Sequence, residues 1–164
     1  MAEPTGPIVE FLRGIGLVVR EGEVPDDTFL PGVRIASGAL VFDPQRLTWP
    51  GDLLHEAGHL AMTPAAARGA LCDDLAGQEA DAHAGEAEAT AWAYAAIVAL
   101  GLDASVLFHP GGYHGQSESL IATFGMGVYP GCRGLSESGM TLTGAAAREQ
   151  GVPPYPHMQR WLRD

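Results

Sequence analysis

Two histidines four residues apart, His55 and His59, lie in a stretch that reads as a helix, and this pair constrains the chain more than any other feature. Thr48 is placed to cap that helix, Pro50 to open it and Pro64 to stop it, while Leu53, Leu54, Leu60 and Ala61 supply the apolar surface for burial. On a helix, positions i and i+4 share a face about 6 Å apart. A buried pair of imidazoles needs partners, and two on one face can bind one metal ion. Glu56 follows His55 and is rotated by about 100° around the axis, so it points beside such an ion and not onto it. Residues 55–59, His-Glu-Ala-Gly-His, therefore form an HExxH pattern, in which the histidines hold zinc and the glutamate handles a water molecule as general base.

A catalytic zinc takes three protein ligands and leaves a fourth position open. The metzincin continuation would require glycine at position 62 and histidine at 65, where this chain has Met62 and Ala65, so that subclass is excluded. The remaining source is a carboxylate from the next helix, and the candidates are Glu79, Glu86 and Glu88, with His83 as an outsider. Glu86 is best placed, because it starts a helix whose later turns carry the apolar stripe Ala89, Trp92, Ala93, Ala96, Ile97 and Leu100 up to Gly101. Two histidines and one carboxylate favour zinc over iron or manganese.

Around this pair the chain reads as α+β. A short helix is predicted from Pro7 to Arg13, strand composition from Leu17 to Arg20, and a hairpin pairing Val33 to Ala36 with Ala39 to Phe42 through Ser37 and Gly38. The expected architecture is zincin-like: a small antiparallel sheet packed on the HExxH helix and on a following helix that carries the third ligand, with an edge strand beside the cleft that an extended peptide could join. Six acids between Leu71 and Glu88 (Asp73, Asp74, Glu79, Asp81, Glu86 and Glu88) are met by no basic side chain, so most of that stretch is expected to be a solvated loop. Further on, short helices are predicted for Ser117 to Phe124 and Thr143 to Gln150, irregular structure from Val128 to Gly139, and a short C-terminal turn or helix with Trp161. The 164 residues fit a single domain over the whole chain.

With HEAGH at 55–59 and Glu86, Ala87, Glu88, Ala89, Thr90, Ala91, Trp92, Ala93 after a variable loop, the chain resembles the ImmA/IrrE-type metallopeptidases. Their pattern is a short helix and small sheet, an HExxH helix, and then a helix reading roughly E-x-x-A-N-x-F-A. The resemblance covers about residues 7 to 100. It implies Glu86 as the third zinc ligand, with Trp92 in the place of the family's phenylalanine and Thr90 in the place of its asparagine. It also implies a protein substrate, for instance a DNA-binding repressor cleaved in trans, because the family's frequent helix-turn-helix module is absent here.

Amide hydrolysis also needs a donor for the developing oxyanion. Tyr113 and His114, flanked by Gly111, Gly112 and Gly115, are the candidates. The rival from another class is a non-catalytic zinc-stabilised interaction module, in which the same ligands fasten two helices and Glu56 is incidental. A formal charge of −11, with no lysine in the chain, disfavours nucleic acid and anionic membranes and favours a basic protein or peptide partner. No run is long enough to span a bilayer, and the stretch from Ile8 to Val19 lacks the cationic leader of a signal peptide. Cys72 and Cys132 belong to no CxxC pattern and read as buried free thiols in a reducing cytoplasm, the expected compartment.

Overall fold

The computed structural model describes residues 3–73 and 85–164. Helix α1 (Thr5–Gly14) buries Ile8, Val9 and Leu12, and it starts two residues before the predicted proline because Pro4 and Thr5 already adopt its first turn. Three strands follow, β1 (Val18–Glu21), β2 (Val33–Ala36) and β3 (Ala39–Phe42). Ser37 and Gly38 turn the hairpin with φ of 48° and 73°, the left-handed pair that a two-residue turn between twisted strands requires.

The sheet is mixed, and not antiparallel as the sequence led us to expect. Its order is β1-β3-β2, with β2 antiparallel and β1 parallel to β3. The tight turn dictates only the β2/β3 register. It leaves the other edge of β3 open, and β1 fills that edge in the same direction, so the central strand β3 is buried along its whole length.

The sheet and α1 pack against α2 (Gly51–Met62). Pro64 holds Thr63 extended, with ψ of 130°, and ends α2 as expected. Thr48 does not cap it. Its hydroxyl donates to the Arg46 carbonyl at 3.3 Å, and the helix opens at Pro50 with no side-chain cap.

After α3 (Ala65–Arg68), helix α4 (Glu86–Leu100) starts at Glu86 and ends at a left-handed Gly101. Its predicted stripe is buried from Ala89 to Ile97, with Leu100 half-buried, and Ala91 and Ala95 are buried as well. Small side chains let α4 approach closely on two faces. At Gly58 a Cβ would come within 2.6 Å of the Ala89 carbonyl oxygen, so α2 and α4 meet nearly backbone to backbone.

The remaining helices are α5 (Ala104–Leu107), α6 (Ser117–Gly125), α7 (Cys132–Glu137) and α8 (Gly144–Gln150). Helix α7 corrects the expectation of irregular structure from 128 to 139. Gly131 and Gly139 lie outside the helix, at its two ends, and Gly134 inside it leaves room for Glu88. The C-terminal segment forms turns, not a helix. Trp161 packs edge-on against Trp92 and Phe11, and its carbonyl accepts the Trp92 indole N–H at 2.9 Å. Both cysteines are free thiols, but Cys72 is exposed and Cys132 half-exposed, against the expectation of burial. Among the described residues, no helix is long and apolar enough to cross a membrane.

Candidate metal centre

The helical spacing places the rings of His55 and His59 5.1 Å apart, with His55 buried and His59 half-buried. Glu86, on the first turn of α4, closes the set. One of its carboxylate oxygens lies 3.1 Å from His55 Nε2 and the other 3.0 Å from His59 Nε2. A tetrahedral ion with bonds of about 2.0–2.1 Å holds its ligand atoms about 3.3 Å apart, and each imidazole nitrogen stands at nearly that spacing from one oxygen of Glu86. Burial pushes the Glu86 carboxyl up, but hydrogen bonding to His55 and His59 and their charges together outweigh it and hold the group well below the usual carboxylate range. Such a carboxylate is held in its charged form, the form that a cation requires of it. Of the rival third ligands, Glu88 lies in the same cleft but is packed against Gly134, while Glu79 and His83 lie outside the described residues, as do Asp74 and Asp81.

Glu56 is buried on α2, and its carboxylate lies within 4.8 Å of the donor nitrogens of both histidines. Burial raises its carboxyl well above the ordinary range, and the neighbouring negative charges of Asp73 and Glu86 and a hydrogen bond to Asp73 add to the effect.

Asp73 is an exception to the solvated loop expected between Leu71 and Glu88, most of which lies outside the described residues. Its carboxylate accepts the Ile35 N–H at 2.6 Å, and its own N–H donates to the Ile35 carbonyl at 3.1 Å. The Ser37 N–H contacts Cys72 Sγ and the Gly38 N–H donates to the Leu71 carbonyl. Residues 71–73 thus run along the free edge of β2. That edge lines a cleft of about 1200 Å³ floored by His55, Glu56, His59 and Glu86, but where a peptide would pair with Ile35 the chain's own Asp73 already does so.

Tyr113 and His114 occupy a single turn of 3-10 helix, both with positive φ (57° and 52°), a conformation that side chains other than glycine seldom adopt. The Tyr113 ring stands edge-on to His55 at 6.1 Å, and burial, with the nearby charges of Asp52 and Glu86, pushes its hydroxyl up and keeps it protonated. Both residues line a smaller cavity of about 380 Å³ bounded by His55 and Glu86, with His114 exposed at its rim. Tyr113 is thus beside His55, whereas among the described residues no hydrogen bond or ring contact joins His114 to His55 or His59.

Sequence reasoning overlooked Asp52 and His109. Asp52, one turn before His55 on α2, is 3% exposed, and its carboxylate accepts from His109 Nε2 at 2.7 Å. Burial raises the Asp52 carboxyl, and the hydrogen bond and charge of His109 work against that rise. The His109 ring is stacked on Trp49 with centroids 4.5 Å apart and planes 5° from parallel. The glycine-rich loop closes over this stack, since a Cβ at Gly111 would meet Trp49 Nε1 at 2.4 Å and one at Gly112 would meet His109 Cε1 at 3.0 Å. The signal available in the sequence was an acid three residues before the first motif histidine, on its face of the helix.

No family model, curated protein or solved structure matches the chain.

Proposed function

We propose that this chain is a zinc-dependent hydrolase of amide bonds in proteins or peptides, zincin-like in fold, in keeping with the ImmA/IrrE-type resemblance of residues 55–59 and 86–93. The observation that carries this reading is the carboxylate of Glu86 set between Nε2 of His55 and Nε2 of His59, with Glu56 on the same helix left out of that contact. Zinc held by these three residues would acidify a water molecule and polarise the scissile carbonyl.

The chain's own residues do the rest. Glu56 takes a proton from the attacking water and returns it to the leaving amine. Its burial among negative neighbours suits that task, because a carboxyl tuned upward is the stronger base once ionised. Tyr113 keeps its hydroxyl proton and stands beside His55, as a donor to the developing oxyanion must. The cleft is rimmed by Asp27, Asp73, Glu88 and Glu137 against Arg34 and Arg163, an imbalance that favours basic segments of a substrate. A soluble protein of the cytoplasm, such as a repressor cleaved in trans, fits this reading.

The test is Glu56→Gln, compared with wild type for zinc content, thermal midpoint and cleavage of a panel of unstructured proteins. The amide keeps the shape of the side chain but cannot accept a proton, so zinc content should persist while turnover falls by about 10²- to 10⁴-fold. A variant that keeps its zinc and cleaves at the wild-type rate rules out the assigned role. A wild-type protein that binds zinc and cleaves nothing points to a zinc-stabilised interaction module instead.

A further inference from the structure

We infer that Asp52 is a positioning residue for the metal centre: its second carboxylate oxygen takes the Nδ1–H of His55, while His109 and Trp49 hold Asp52 in place. This rests on the zinc reading of His55, His59 and Glu86 but concerns residues that reading does not use.

Among the described residues, buried side-chain nitrogen or oxygen atoms without a hydrogen-bond partner are few, and three of them belong to this group: Asp52 Oδ2, His55 Nδ1 and His109 Nδ1. Unpaired polar atoms of this kind are costly and need a reason to persist. For His55 the reason follows from its other nitrogen. Nε2 faces Glu86 and His59, so a metal ligated there takes the Nε2 lone pair, and the proton of the neutral ring must sit on Nδ1. That Nδ1–H then requires an acceptor on the buried side of the ring.

Asp52 supplies it. It precedes His55 by three residues, so the two side chains share a face of α2, and its Oδ2 has no other partner. Its Oδ1 is fixed by His109 Nε2 at 2.7 Å. His109 is fixed in turn by the Trp49 stack and by Ser117, whose hydroxyl donates to the His109 carbonyl at 2.6 Å. Ligand histidines are commonly oriented by a carboxylate in this way, and removing such a partner weakens metal binding by about 10- to 100-fold. The Asp52–His55 hydrogen bond closes when the Nε2 side of the ring is fixed by the ion.

The experiment measures zinc affinity by competition with a chromophoric chelator, and the thermal midpoint of the chelator-stripped chain, for wild type, Asp52→Asn, Asp52→Ala and His109→Phe. The asparagine has one oxygen to share between His55 and His109, so affinity should fall by about tenfold, and by up to about 100-fold in Asp52→Ala. Affinity in both Asp52 variants within twofold of wild type overturns the inference, as does a lowered midpoint of the stripped chain with zinc affinity unchanged, which is the mark of a purely structural pair. Should neither Asp52 variant fold, His109→Phe carries the same criterion, because it keeps the ring volume under Trp49 and removes the donor that fixes Asp52. Absence of zinc binding in wild type overturns the metal reading itself and this inference with it. Zinc binding in wild type with unchanged variants overturns this inference alone.

Discussion

Asp73 is bonded to Ile35 twice, by its own N–H to the Ile35 carbonyl and by its carboxylate to the Ile35 N–H. It thereby ties the chain after Leu71 to the edge of β2. Asp73→Ala removes a charge-assisted bond worth about 1.5–3 kcal/mol, which corresponds to about 10- to 100-fold faster exchange of the Ile35 amide if that amide opens locally. Hydrogen exchange followed by NMR reads this directly. Zinc binding should persist, because Asp73 takes no part in the contact of His55, His59 and Glu86. An Ile35 amide equally protected in the variant would show that the edge is held by other means.

Glu86 and Glu88 are separated by substitution. Glu86→Ala removes the carboxylate that meets both imidazoles and should lower zinc affinity by several orders of magnitude, whereas Glu88→Ala should keep the metal within about tenfold of wild type, as expected when no ligand is lost. Metal analysis after dialysis distinguishes them. Zinc lost from Glu88→Ala and kept by Glu86→Ala would mean that the helix register at the site is wrong.

Gly58→Ala tests the close approach of α2 and α4. The new methyl carbon would sit 2.6 Å from the Ala89 carbonyl oxygen and 3.0 Å from its Cα, backbone atoms that cannot step aside without moving a helix. We expect a loss of about 1–3 kcal/mol or more in stability. Zinc affinity should fall with it, because His59 and Glu86 ride on the two helices being forced apart. A midpoint equal to wild type would contradict this packing.

The cap expected at Thr48 is absent, whereas Asp103 caps a helix not expected from the sequence. Asp103 accepts the Ser105 N–H at 2.8 Å at the start of α5, and its carboxyl is held below the usual range first by the Ser105 hydroxyl and then by that N–H. A depressed folded value means that the stabilisation is present above the unfolded pKa of about 3.9 and is lost as pH falls through the lower folded one. Asp103→Ala should therefore lower the thermal midpoint at neutral pH and converge with wild type in acid. Thr48→Ala should change stability by no more than about 0.5 kcal/mol, since that hydroxyl caps nothing. Thermal melts of the two variants at pH 7 and below pH 3 check both.

The elements legible in the sequence were those set by local physics. The helix of His55 and His59 was readable from apolar spacing and from Pro64, the β2/β3 hairpin from Ser37 and Gly38, and the span of α4 from its stripe and Gly101. Spacing also placed both imidazoles on one face and made Glu86, at the start of α4, the candidate partner, and the structure sets its carboxylate 3.1 Å from one imidazole and 3.0 Å from the other. What depended on contacts between distant segments was not legible. The place of β1 was decided by which edge of β3 stood open, the place of Asp73 by the unpaired N–H and C=O of Ile35, and the pairing of Asp52 by a histidine 57 residues away. Each is the satisfaction of a backbone group or a charge by a partner remote in sequence, and periodicity carries no record of such partners. Local sequence therefore determined the motif helix and the spacing of its donors, whereas only the tertiary structure decided what pairs with Asp52 and what covers the edge of the cleft.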